Sequence, residues 1–281
     1  MSNSIFLLDN QSDSAAITAS TEVITAGNVQ NIQRSKVWRS DTGTSSYLDI
    51  TLSDVFGIGY IALVDLNLSN NGLIRIQAWS DSLDGVNVVL DTSVSPTLYV
   101  SSESSSSAFG LGDFGLGSFG ADEVLTQLSN RNITLIPLND VLLVQYYRIT
   151  FSDDNTTYQQ LGRLWMGGGI TFQNNLSYGW SAERIERTVS RETIGGQRYV
   201  QPRDSKLKIT GKFSWLSEDE RTLMLIRLQQ LGESTPFIFS LFPENNNQGL
   251  TTTLYCTFNS KSITQLFQNQ NEFNFSVTEE L

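Results

Sequence analysis

The sequence predicts a mainly β protein of two domains that contains a single substantial helix. Runs of alternating apolar and polar residues recur along the chain, and polar turns separate them. Strands at this spacing are typical of sandwiches and barrels. The segment at residues 217–232 instead has helical spacing, and the glycine triplet at residues 167–169 marks a boundary. With 281 residues, the chain is long enough for two domains that each bury a core.

The predicted first domain, residues 1–168, consists of short strands. The run SSYLDITLS at residues 45–53 alternates as a half-buried strand does. The run GYIALVDLNLS at residues 59–69 is almost continuously apolar, which suits a strand buried on both faces. RIQAWS, ITLIPLND and LVQYYRITFS supply three further strands. The N-terminal run SIFLLD at residues 4–9 could pair with the second domain, so it leaves the boundary open.

A Gly/Ser/Phe-rich loop at residues 95–124 interrupts these strands and contains FGLG twice. The string matches GxGxxG from Gly110 and from Gly115, but a dinucleotide site needs a preceding strand and a βαβ unit. A serine run precedes it, which favours a low-complexity loop. Regularly spaced phenylalanines in such a loop could anchor on a neighbouring subunit or fold back over their own domain. These interface candidates are Phe109, Phe114 and Phe119.

The predicted second domain, residues 169–281, places one helix at residues 218–231 between strand-like runs. Ser217 suits an N-cap, and Glu220 three residues later completes a capping box. Gly232 follows as a C-cap glycine. We predict an apolar stripe formed by Leu223, Met224, Ile226, Leu228 and Leu231. A single helix packed on an antiparallel sheet serves interaction more often than catalysis.

Residues that carry common catalytic chemistry are nearly absent. The chain has no histidine and one cysteine, Cys256. Ser-His-Asp and Cys-His arrangements and His-ligated zinc or iron are therefore excluded. Cys256 lies in an alternating run, which predicts a buried, small apolar residue. We expect no enzymatic activity, no cofactor and no metal, although a carboxylate pair or a Ser-Lys dyad needs no histidine and stays formally open.

Turn residues rich in oxygen ligands raise a calcium alternative. The spacing does not match an EF-hand, and turn chemistry equally explains Asp and Asn at such positions. We therefore favour ordinary turns. The residues concerned are Asp81, Asp84, Asp153, Asp154 and Asn155.

Four tryptophans, Trp38, Trp79, Trp165 and Trp180, could form a sugar-stacking platform. Trp38 and Trp79 lie in alternating or apolar segments, so core packing is the better interpretation for both. Trp180 follows a turn and is predicted to be the exposed one of the four.

Charge is distributed unevenly along the chain. Residues 1–165 carry seven basic and 17 acidic side chains, whereas residues 166–281 carry 11 and 12. The acidic first part argues against nucleic-acid binding, which needs a basic surface. The run at residues 181–192 mixes both signs, which indicates either ion pairs between subunits or a solvated face. The interface candidates here are Glu183, Arg184, Glu186, Arg187, Arg191 and Glu192.

The N-terminus lacks the basic segment of a secretory signal, and no apolar run is long enough to span a bilayer. We expect synthesis in a reducing cytoplasm and no membrane insertion.

Residues 30–168 resemble the discoidin or galactose-binding-like jelly roll. The resemblance is carried by VWRSDTG at residues 37–43, by the strands described above, and by YYRITFSDDN followed by LGRLWMG. It implies a jelly-roll β-sandwich. Domains of this family often bind glycans through loops at one end.

The second part resembles the hub domain of distal tail proteins from long-tailed bacteriophages. The resemblance is carried by the continuous run from Tyr199 to Glu244 and by the closing strand NEFNFSVTEEL. It implies a β-sandwich or split barrel with one helix for this domain. It also implies a structural virion protein at the phage tail tip, in which hub domains form a ring and the jelly roll decorates the outside.

The expected partners are copies of the same chain in a ring, expected to be a hexamer, together with the tail tube protein and tail hub or fibre proteins. Assembly is expected in the bacterial host cytoplasm. The alternative is a glycan-binding adhesion module that contacts the host surface. A carboxylate-pair glycosidase is a third interpretation, but no spacing in the sequence points to a pair.

Overall fold

The computed structural model describes residues 3–69, 72–94, 133–232, 234–243, 252–267 and 270–280. The chain folds into two compact units. Unit 1 comprises Met1–Leu8, Gly169–Pro243 and Leu254–Leu281, and unit 2 comprises Asp9–Gly168 and Glu244–Thr253. The break at Gly168 and Gly169 lies in the predicted glycine triplet. The predicted first domain began at residue 1, whereas the structure assigns the first eight residues to the other unit.

The described residues are mainly β, with a single α-helix. The helix, α1, spans Glu218–Leu231. Short 3-10 helices span Gln11–Ser14 and Ala26–Gln30. The strands in chain order are β1 Ile5–Leu7, β2 Ala16–Ala19, β3 Trp38–Arg39, β4 Ser45–Val64, β5 Leu73–Trp79, β6 Val88–Val94, β7 Ile133–Ser152, β8 Gln160–Leu161, β9 Arg163–Gly167, β10 Ile170–Thr171, β11 Ser181–Ile185, β12 Val189–Glu192, β13 Arg198–Gln201, β14 Lys206–Leu216, β15 Phe237–Ser240, β16 Thr253–Phe267 and β17 Gln270–Glu279.

Unit 1 is built on a seven-stranded sheet in the order β10-β1-β15-β16-β17-β14-β11. The N-terminal strand β1 pairs with β10 on one side and β15 on the other. The ring of Phe6 in β1 approaches seven other phenylalanines, with ring centroids 4.7 to 6.3 Å away. One of them is Phe213 in β14, four places along the sheet. The sheet therefore curves around Phe6, as a barrel-like sheet does.

Helix α1 has the same bounds as the sequence predicts, because its ends are fixed locally. The Ser217 hydroxyl accepts from the Glu220 amide at 3.2 Å, and the Glu220 carboxylate accepts from the Ser217 amide at 2.8 Å. Gly232 has a positive φ of 68°. Lys261 of β16 donates to the Leu228 and Gly232 carbonyls at 3.3 Å, so a cation stabilises the negative end of the helix.

The predicted apolar stripe of α1 is only partly correct. Met224, Leu228 and Leu231 are buried. Leu223 and Ile226 are exposed, because at 100° per residue Ile226 lies opposite the buried face and Leu223 lies on its flank. The helix therefore has one apolar face against the sheet and a second that faces outward.

Unit 2 contains a six-stranded sheet in which β2, β4, β7, β5 and β6 follow in order, with β9 also paired to β4. The sequence predicts four separate strands in these ranges. The structure instead has two long strands, β4 and β7, of 20 residues each. Irregularities near Thr51 and Phe56, and again between Ile58 and Tyr60, bend this pair instead of ending it. The core includes Trp38, Leu48 and Ile50.

Candidate functional site

The segment between β11 and β14, residues 186–204, forms an exposed arm. Its strands β12 and β13 pair with each other as a separate two-stranded ribbon. Only Val189 is half-buried, and Ile194 at the tip is fully exposed. Among the described residues, the side-chain hydrogen bonds of the ribbon lie within it, such as the one from Arg198 Nε to Ser190 Oγ at 2.7 Å. An isolated two-stranded ribbon is marginally stable in water, so this arm lacks the packing that normally stabilises one.

Four of the predicted interface residues lie on this arm and are exposed, namely Glu186, Arg187, Arg191 and Glu192. The other two, Glu183 and Arg184, lie in β11, which is the edge strand of the unit 1 sheet. Glu183 pairs with Lys208 at 3.5 Å, and Arg184 donates to Ser205 Oγ at 2.5 Å. Ion pairing between subunits stays a prediction. The other three candidates, Phe109, Phe114 and Phe119, lie outside the described residues.

Trp215 is an exposed tryptophan that the sequence interpretation missed. Alternation places it on the same face as buried Phe213, but a bulge between Phe213 and Leu216 turns it outward. Its φ of 66° is rare for a bulky residue, and its side chain is 64% exposed. Asn174 Nδ2 donates to the Trp215 carbonyl at 3.1 Å, and buried Asn271 donates to the Leu216 carbonyl at 3.2 Å. These bonds hold the strained bulge in place.

A cluster of loops at one end of unit 2 forms a second candidate surface. Hydrogen bonds from the Ser40 amide to the Gln159 carbonyl and from the Gly43 amide to the Thr157 carbonyl, both 2.9 Å, join two loops there. The guanidinium of Arg39 lies 3.6 Å from the centre of the Tyr158 ring. An arginine stacked on a tyrosine offers both hydrogen-bond donors and a flat apolar face.

Gln159 is the fully buried residue that organises this loop cluster. Its side-chain oxygen accepts from the hydroxyls of Ser40 and Ser46 at 3.1 and 3.0 Å, and its side-chain nitrogen donates to the Gly43 carbonyl at 3.0 Å. Ser40 and Ser46 are themselves buried. The network therefore connects the loop that precedes β8 to the loop that leads into β4.

The residues of the calcium alternative are engaged in other contacts. Asp84 and Asp49 both pair with Arg148, with shortest distances of 2.6 Å. Asp153 accepts from the amides of Ser69 and Asn155 at 2.5 and 2.8 Å. Burial raises the pKa of Asp153, but these hydrogen bonds outweigh it and leave that pKa below its usual value. Among the described residues, no group of three acids, histidines or cysteines is arranged to hold a metal.

Three of the four tryptophans proposed as a sugar platform are buried. Trp38, Trp79 and Trp165 are at most 3% exposed, which confirms core packing for the first two. Trp180 is exposed, as predicted, and its ring lies 6.4 Å from that of Phe242.

Cys256 is buried as predicted, and loss of solvation raises the pKa of its thiol. A helix with the length and hydropathy to cross a membrane does not occur in the described part of the chain.

Comparisons with known proteins return structural likenesses only. No family model matches the sequence, and no curated protein matches it. A chitosan-binding module from a Paenibacillus sp. IK-5 chitosanase/glucanase is 14% identical, with a TM-score of 0.38, and the match covers 57% of this chain and 99% of that one. A family 32 carbohydrate-binding module from Clostridium perfringens, solved with galactose, is 12% identical, with a TM-score of 0.37, over 58% and 98% of the two chains.

A fucose-binding module of Streptococcus pneumoniae is 10% identical, with a TM-score of 0.38, and covers 57% of this chain and 98% of its own. All three are small carbohydrate-binding modules, and none is a phage tail protein. The β architecture described above rests on the strands of this chain and not on these distant likenesses.

Proposed function

We propose that this chain is a structural protein that assembles with copies of itself. The observation that carries the proposal is the exposed arm at residues 186–204, a ribbon that pairs with no other strand among the described residues. Exposed ribbons and open sheet edges are natural sites for pairing with another chain. The edge strand β11 leads directly into the arm, so both features lie on one continuous segment.

In finer detail, we propose a distal-tail or hub ring protein of a bacteriophage tail tip. The support is the resemblance of the run from Tyr199 to Glu244 to such hub domains, together with a curved sheet that carries one helix. On this proposal the ring joins the tail tube to the baseplate or fibres, and the protein resides in the virion. Symmetric rings reuse one surface on every copy, which an arm that projects from each copy would supply.

The proposed role is not enzymatic. Asp49 and Asp84 are the carboxylates that meet at one arginine in unit 2, and both bind Arg148. A glycosidase needs two carboxylates that flank the bond to be cleaved, whereas these two carboxylates both bind the same guanidinium group. These two residues therefore suit a structural ion pair.

Reversing the charge of Arg187 and Arg191 to Glu is expected to abolish or strongly weaken self-association while leaving the fold intact. Both side chains are exposed and lie on the arm, so their replacement removes no internal packing. Light scattering over a concentration series, with negative-stain images, measures the mass as a multiple of the 31.3 kDa chain. The control is Lys36→Glu with Gln33→Glu and Val86→Glu, which changes the net charge equally at exposed positions of unit 2. A doubly reversed protein that still assembles at raised salt would contradict the role of the arm.

Glycan binding by unit 2 is the second candidate function. The observation that favours it is Arg39 stacked on Tyr158 beside the exposed loop residues Asp41, Thr42 and Thr157. Sugars bind proteins through polar side chains beside an aromatic face, which this end of the unit offers.

Tyr158→Ala is expected to abolish any saturable glycan affinity of the full chain. The loss follows because the aromatic face is removed while the hydrogen-bond donors of Arg39 remain. Titration calorimetry with galactose, fucose and chitosan oligomers measures the affinity, and Tyr178→Ala, a fully exposed tyrosine elsewhere, is the control. No heat of binding for the unmodified chain with any of these sugars would count against this candidate.

A further inference from the structure

Three large apolar side chains are exposed close to where β14 leads into α1. We call this group the Trp215 surface, and its members are Trp215, Leu223 and Ile226, which are 64%, 41% and 50% exposed. A rise of 1.5 Å per residue places Leu223 and Ile226 roughly 9 and 14 Å along the axis from Ser217. A single protein interface of standard size is wide enough to span these distances.

The conformation of Trp215 indicates that its exposure is built into the fold. A tryptophan with positive φ is strained, and such strain persists only where surrounding bonds over-determine it. Here the side-chain amides of Asn174 and Asn271 donate to the carbonyls of Trp215 and Leu216. The result is a large aromatic side chain directed away from the core, and tryptophan is the residue most enriched at interface hot spots.

The arm has the complementary chemistry. Its exposed apolar residues are Ile194, Tyr199 and Val200. Its four arginines against three acids give it a net charge of +1, although the whole chain carries −11. The Trp215 surface instead adjoins the acidic first turn of α1, formed by Glu218, Asp219 and Glu220.

We propose that the arm of one copy docks across the Trp215 surface of a second copy. In such a contact the apolar residues at the tip of the arm cover Trp215, Leu223 and Ile226, and arm arginines face the acidic first turn of α1. The two surfaces differ, so the contact is head-to-tail and repeats around a closed ring or along a filament. This inference rests on the proposed self-association and adds which two surfaces meet.

The first test is a cross-link between two variants that each carry one added cysteine. The native Cys256 is fully buried, so the background from it is low. Mixing Ile194→Cys with Ile226→Cys and oxidising is expected to give a covalent dimer of one chain of each kind. The control mixture pairs Ile194→Cys with Val86→Cys, a highly exposed position in a turn of unit 2.

The second test is Trp215→Gly, which removes the aromatic ring and also relieves the positive φ. The docking proposal expects association to weaken at least about 30-fold, as loss of a hot-spot tryptophan does, with the thermal unfolding midpoint unchanged or raised. A purely structural tryptophan would lower that midpoint and leave association alone, and this result would overturn the proposal.

The remaining outcomes separate this inference from the proposed function. If light scattering shows assembly but the Ile194 and Ile226 variants cross-link no more than the control mixture, the docking geometry is wrong and self-association stands. If the unmodified chain stays monomeric at every concentration and no mixture cross-links, both the docking and the self-association are overturned.

Discussion

Phe6→Ala is expected to destabilise unit 1 by about 3–5 kcal/mol, the usual cost of truncating a buried phenylalanine. Phe6 is fully buried, and its ring approaches seven other phenylalanine rings. The shortest of these centroid distances is 4.7 Å, to Phe239. The truncation removes these ring contacts together and leaves a cavity that a curved sheet fills poorly, because rigid interiors relax only in part.

Urea denaturation followed by tryptophan fluorescence measures this effect. Trp180 and Trp215 report on unit 1, since both lie within Gly169–Pro243. Tyr178→Ala, at a fully exposed position in the same unit, is the control and should change stability by less than about 0.5 kcal/mol. A loss below about 1 kcal/mol for Phe6→Ala would mean that β1 is not integral to this core.

Gln159→Leu is expected to destabilise unit 2 by about 2–4 kcal/mol, because it removes hydrogen-bond partners from a buried polar network. The hydroxyls of Ser40 and Ser46 lose their shared acceptor, and the Gly43 carbonyl loses its donor. Leucine has a similar size, so the loss comes from unsatisfied polar groups and not from a cavity. The loops that carry Arg39 and Tyr158 would also lose their connection to β4.

The neighbouring Gln160→Leu is the matched control, because Gln160 is half-buried and its backbone amide, not its side chain, bonds to Asn67 Oδ1. Adding Ser46→Ala to Gln159→Leu should recover part of the lost stability, since removing both partners of a buried bond costs less than removing one. Ser40 is kept, because its hydroxyl also accepts from the backbone amide of residue 159. Equal losses for Gln159→Leu and Gln160→Leu would show that the buried network is not the cause.

The sequence by itself determined the features that depend on nearby residues. The bounds of α1 follow from Ser217, Glu220 and Gly232, whose effects act within one helical turn. The mainly β class follows from alternation along the chain, and burial of Trp38 and Cys256 follows from their positions in alternating runs. The mixed-charge run at residues 181–192, which overlaps the arm, was also visible as a local pattern.

Only the tertiary structure decided the features that depend on distant segments. β1 joins β10 and β15 of unit 1, which are more than 160 residues away in the chain, so no local pattern could fix its place. The two pairs of strands that the sequence predicts in unit 2 are instead the continuous strands β4 and β7. Bulges bend these strands and leave no turn signal in the sequence. The stripe of α1 was ambiguous, since apolar residues occur on both of its faces.

Trp215 is the clearest example of a feature that distant segments of the chain decide. Alternation predicts that it follows Phe213 into the core, and a bulge reverses that orientation. The bulge is held by Asn174 and Asn271, which lie 41 and 56 positions away along the chain from it. Side-chain direction in a strand has a period of two residues, so one irregularity that distant hydrogen bonds impose exchanges the buried and exposed faces.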